Sequence, residues 1–165
     1  MAEAEAEKKE KLTIVVFSGD LDRALAAFML ATTGASMGMD VTMFFTFWGL
    51  NVIKKNEGGI GSKGLMRKML NWMNRGGAKR LTLSKFNMMG LGTWMMKRLM
   101  KDVNMPSVEE FIKMAEQMGV KLIACNTSCG VMGVPEKAFR AEVASLAGAA
   151  YFLSEARDSK VVLFV

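Results

Sequence analysis

The chain has 165 residues, 51% of them apolar and 23% charged, which suits one domain with a full core and gives no reason to expect two. It has no histidine, which excludes Ser-His-Asp and Cys-His nucleophilic machinery and any two-cysteine, two-histidine zinc site built within the chain. The net charge of +6 is held unevenly, with twelve Lys or Arg against Glu57 alone between Lys54 and Lys101, an asymmetry that attracts acidic partners or anionic surfaces.

Residues 1–11, MAEAEAEKKEK, read as a solvated tail, too charged for the apolar core of a secretory signal. The remainder, residues 12–165, reads as a single domain. A cytoplasmic setting with reduced thiols is the expectation. Leu12 to Phe17 is a β-branched apolar run closed by Ser-Gly-Asp and predicts a buried parallel strand. Ser18 or Asp20 is placed to cap the helix that follows, which closes between Gly34 and Gly38. Asp20 and Asp22 therefore read as helix-capping carboxylates rather than as a catalytic pair. DVTMFFTFWGL predicts a second strand. Between Ala24 and Ile53 the only charge is Asp40, but the glycines and Asp40 divide the stretch into pieces too short to cross a bilayer.

Residues 55–105 break this rhythm and form a basic insertion that holds nine of the seventeen methionines. Its opening GGIGSKG, Gly58 to Gly64, resembles a phosphate-binding loop but has Gly64 where Ser or Thr is needed, so it reads as a hinge. LTLSKFNMMGLGTWMMKRLM mixes methionines, a tryptophan and cations. It suits packing on the domain or on a second subunit; the alternatives are a partner groove and a membrane surface. Regular order resumes after Pro106. Ser107 and Glu110 form a capping box, Gly119 stands at a helix C-cap, and Val120 to Ala124 predicts a strand that delivers Cys125 at its carboxyl end. Pro135 fits the first turn of a helix, Ala141 to Ala147 holds a short strand, Gly148 to Ser159 is helical, and SKVVLFV closes the chain as a buried strand. Alternation of this kind predicts an α/β fold, a mostly parallel sheet with helices on both faces.

The two cysteines, Cys125 and Cys129, stand four residues apart in IACNTSCGVMG. A lone C-x3-C is a weak metal signal, and no metal or cofactor is expected. Chemistry in doubly wound sheets gathers at the carboxyl ends of strands, where Cys125 falls. Amides of the Asn126 to Gly130 turn favour its reactive thiolate, against the plain alternative that a free cysteine is a small buried hydrophobe.

KLTIVVFSGDLDRA, VTMFFTFWGLN, MMGLGTWMMKRLM, NMPSVEEFIKMAEQMGVKLIAC, the S-x-x-M-G after the cysteine and the terminal SKVVLFV together resemble the DsrE/DsrF-like sulfur-relay proteins. The likeness is closest to their larger branch with an extended middle insertion, and covers nearly all of Lys11 to Val165. The resemblance implies a flavodoxin-like fold, commonly homo-oligomeric, and cytoplasmic transfer of sulfane sulfur between donor and acceptor proteins. It implies that Cys125 accepts sulfur as a persulfide or thiosulfonate, with Asn126, Thr127, Ser128 and Gly130 as its surroundings. Many relatives carry methionine and then an acidic residue after the motif serine; this chain has Cys129 and Gly130 after Ser128, so the family says nothing of Cys129. Cys129 is a resolving thiol if the protein is instead a dithiol redox protein. A third reading is a non-catalytic adaptor, oligomeric or peripheral to a membrane through the basic insertion. No nucleic-acid partner is expected.

Overall fold

A computed structural model describes residues 9–56 and 62–165. Most of the charged tail, and Glu57 to Gly61 of the glycine-rich stretch, lie outside the described residues. Five strands, β1 (Lys11–Val16), β2 (Asp40–Phe45), β3 (Lys121–Cys125), β4 (Ser145–Ala147) and β5 (Val161–Phe164), form one sheet in the order β4-β3-β2-β1-β5. Every pairing in it is parallel, with Val16 opposite Phe45 and Phe45 opposite Ala124. The helices are α1 (Leu21–Ser36), α2 (Leu50–Ile53), α3 (Leu65–Met73), α4 (Leu91–Asp102), α5 (Val108–Gln117), α6 (Asn126–Met132) and α7 (Ala149–Arg157). The α/β class, the parallel sheet and the helical insertion are as the sequence predicts.

Alternation along each strand divides the core between the two faces of the sheet. On one face Ile14, Val16, Met43, Phe45 and Leu122 meet Phe28 and Ala31 of α1 and Ile112 of α5. On the other, Phe44, Ile123 and Cys125 meet Tyr151 and Phe152 of α7, a much smaller cluster. The capping box of α5 is complete, with both Ser107–Glu110 bonds made.

Several elements differ from the sequence reading. The second strand stops at Phe45, because the chain turns at Thr46 into a 3-10 turn over Phe47–Gly49. Gly49 is required there, since a Cβ would come 1.9 Å from the Val16 carbonyl oxygen. SKVVLFV is not a buried strand: β5 is an edge strand beside β1, and Val161, Val162 and Phe164 are exposed. Pro135 precedes only a 3-10 turn, Glu136–Ala138, because the helix of that region already begins at the cysteine.

The two aspartates do not cap α1. Asp20 occupies the N-cap without a side-chain cap bond; it accepts from the Ser18 hydroxyl at 2.7 Å and pairs with Arg23. Asp22 accepts from the Ser84 amide and hydroxyl, at 2.9 and 2.6 Å, and so ties the insertion to α1. The insertion is structured, yet it packs on the domain at few points: Ala78, Leu81, Thr93, Met100 and Asn71 are buried, while Met66, Trp72, Met89 and Trp94 are exposed.

Candidate functional site

β3 carries Cys125 to its carboxyl end, and α6 begins at once, so that Cys125 is the N-cap residue and the expected Asn126 to Gly130 turn is the start of a helix. Cys125 is 6% exposed and closes the smaller cluster with Ile123 and Phe44. Cys129, one turn on, is 4% exposed and belongs to the larger core with Met132, Val134 and Ile53. Both thiols are free. One helix thus delivers its two sulfurs into different surroundings.

The sheet brings the end of β2 beside the end of β3. Thr46 Oγ1 and Ser128 Oγ share a hydrogen bond of 2.7 Å across a sequence separation of 82 residues. Burial pushes the Cys125 thiol up, but the Ser128 hydroxyl and amide, the Thr46 hydroxyl and the Thr127 amide outweigh it, and the thiol sits below its ordinary range. Cys129 goes the other way. Burial and the charge of Cys125 push it up to about 11, opposed by the charge of Lys54.

Of the residues the sequence brought forward, Thr127 and Ser128 face the Cys125 sulfur with hydrogen-bonding groups. Asn126 stands exposed with its Oδ1 accepting from the Thr127 hydroxyl, and Gly130 lies on the exposed side of α6. Three residues of the site were missed from sequence. Thr46 stands at the end of a neighbouring parallel strand, and the habit of such sheets to gather function there is the signal that finds it. Asn71 of α3 donates to the Met132 carbonyl at 3.0 Å and the Gly133 carbonyl at 3.4 Å, closing the carboxyl end of α6, where Gly133 takes φ +66°. Lys54, counted among the twelve cations of the basic segment, is 1% exposed. No signal in the sequence marks its burial.

Among the described residues no group of three or more His, Cys, Asp or Glu is placed to hold a metal. No helix there is long and apolar enough to cross a membrane.

Comparison with known proteins shows the family and the fold. The chain is 39% identical over 159 residues to the protein YrkE of Bacillus subtilis (strain 168), covering 96% of this chain and 99% of that one. It is 34% identical over 164 residues to the sulfur carrier protein DsrE2 of Allochromatium vinosum, again covering 96% and 99%. The ychN protein of E. coli has the same fold at 9% identity, with a TM-score of 0.59 over 94% of this chain and 99% of that one. The sequence profile of the DsrE/DsrF/DrsH-like family matches residues 8–164, and the chain belongs to that family.

Proposed function

We propose that this protein is a sulfur carrier that holds sulfane sulfur on Cys125 as a persulfide or thiosulfonate, and passes it from a donor protein to an acceptor. The observation that carries this reading is the pull of Ser128, Thr46 and Thr127 on Cys125, which favours the thiolate at the carboxyl end of β3. That thiolate attacks the outer sulfur of a donor persulfide. The donor S–S bond breaks, the donor departs as a thiolate, and a new S–S bond forms on Cys125, with no net gain or loss of electrons and no need of a histidine. Kinship with the sulfur carrier protein DsrE2 supports the same chemistry.

A dithiol cycle of Cys125 and Cys129 has less in its favour, since the two sulfurs pack into different clusters and burial suppresses the Cys129 thiolate. The setting we infer is cytoplasmic, where carrier thiols stay reduced. Phe47 and Trp48, exposed directly after Thr46, and Phe17, stacked on Phe164, give donor and acceptor proteins an apolar surface next to the site. The exposed apolar side of the insertion supports assembly into a homo-oligomer.

Intact-mass analysis after exposure to a persulfide or thiosulfonate donor tests the reading. Wild type gains sulfur-containing mass and Cys125→Ser does not; equal loading of both overturns it.

A further inference from the structure

A pocket of about 320 Å³ lies where the loop after α3 meets the segments that follow β1 and β2, with Gly19, Asn51, Asn74, Arg75, Gly76 and Arg80 in its lining. None of its lining residues is among those that act on Cys125. Its charge is one-sided. No carboxylate lines it, and among the described residues neither Arg75 nor Arg80, both exposed, takes part in an ion pair. Directly behind the lining stands Lys54, the only charged residue among the buried side chains described. Its Nζ donates to Asn51 Oδ1 at 2.8 Å and to the Asn74 carbonyl at 3.5 Å, so its hydrogen-bond partners are neutral and both belong to the pocket. Gly76, at φ +69°, closes the loop over this lysine so tightly that a Cβ would meet Lys54 Cδ at 2.7 Å and Asn51 Oδ1 at 2.9 Å. Asn74 accepts from Asn51 Nδ2 at 2.6 Å, but its own Nδ2 is buried without a partner. A buried ammonium with neutral partners and a buried amide donor with none are both unfavourable unless negative charge comes from elsewhere.

We propose that this pocket binds a small oxyanion of the sulfate or phosphate class, gripped by Arg75 and Arg80 and drawn in by the positive charge of Lys54 behind Asn51 and Asn74. The guanidinium fork matches the oxygens of such an anion, and two arginines side by side in the sequence of one loop can grip it together. Lys54 acts through the field rather than by contact: its charge is enclosed in protein, where salt screens it little. The place in the fold agrees, because doubly wound sheets bind their ligands beyond the carboxyl ends of the strands. The volume admits the anion alone or as the end group of a small ester. The proposal stands apart from the carrier reading, since no residue of the Cys125 site enters it.

The test is isothermal titration of inorganic sulfate into the full-length chain at pH 7, with ionic strength held constant by chloride. Wild type shows saturable binding at one site per chain. Arg75→Gln with Arg80→Gln removes two exposed charges and weakens sulfate about tenfold or more. Lys54→Met weakens it too, without touching the anion. If Lys54→Met does not fold, Asn74→Asp replaces it: the carboxylate keeps the acceptor oxygen for Asn51, supplies the missing negative charge in place, and abolishes the binding. Inorganic phosphate and a phosphate monoester form the second arm. Equal affinity assigns the pocket to the free anion, and tighter binding of the ester assigns it to an ester's end group. No saturable heat in wild type, or equal affinity in wild type and the arginine variant, overturns the proposal. Loading of Cys125 with sulfur is unaffected by either outcome.

Discussion

The environment of Cys125 is set by small polar groups rather than by a base, and single substitutions read it directly. Ser128 supplies both a hydroxyl and an amide to the sulfur. Ser128→Ala keeps the amide and removes the hydroxyl, so the thiol rises toward its ordinary range; we expect alkylation of Cys125 at pH 7 to slow by roughly three- to tenfold. Stopped-flow alkylation between pH 6 and 10 checks this, and an unchanged profile would remove Ser128 from the site. Lys54 makes a different prediction, on stability. Burial lowers it from 10.5 to about 8 in the folded protein. Below pH 8 both folded and unfolded chains hold the proton, and the folded state bears the whole penalty, on the order of 3 kcal/mol. Between pH 8 and 10.5 the unfolded chain binds the extra proton, so stability rises with pH. Urea midpoints of wild type should climb through that window, whereas those of Lys54→Met should not show this component.

The elements place these residues where sequence distance hides them. The 3-10 turn of Phe47–Gly49 follows β2 and fixes the adjacent Thr46 against Ser128, and it lies so close to β1 that Gly49 donates its amide to the Phe17 carbonyl at 2.7 Å. Gly49→Ala forces its Cβ into the Val16 carbonyl oxygen, so backbone has to move. We expect a loss on the order of 3 kcal/mol or more in urea denaturation, together with a rise in the pKa of Cys125 as Thr46 withdraws. The turn itself was not legible: FFTFWG continues the aromatic pattern of a strand, and only the approach of β1 decides where the strand must end. The capping box Ser107–Glu110 was legible in full, because every bond it makes is local. Asp22 was misread for the converse reason. Its position suits helix capping, but its partner Ser84 comes from an insertion 62 residues away.

At the scale of the molecule, the two faces of the sheet are covered unequally, and among the described residues of the insertion more large apolar side chains are exposed than buried. α1 and α5 seal one face over a large core, while α7 alone covers a small cluster on the other, beside the exposed edge of β5. On α3 and α4, Met66, Met69, Trp72, Trp94 and Leu99 are exposed among Arg67, Lys68 and Arg98. A monomer seldom keeps so much apolar surface in water. We expect light scattering on a size-exclusion column to give an oligomer, and Trp72→Glu with Trp94→Glu to shift it toward the monomer. Flotation with anionic vesicles at low and high salt separates the membrane-surface alternative, whose binding weakens as salt screens the cations.

The sequence by itself determined the α/β class, the order of the strands and the arrival of Cys125 at the end of a strand. Those features rest on hydrophobic runs, helical periodicity and caps, all set by neighbours a few residues apart. The tertiary structure alone decided what each thiol is. Cys125 draws a hydroxyl from Thr46 just past the end of the adjacent strand, Cys129 is buried in the large core, and Asn71 of the insertion closes the helix that carries both. The reactivity of a thiol depends on the charges and dipoles within a few ångströms of the sulfur, and folding draws these from remote parts of the chain.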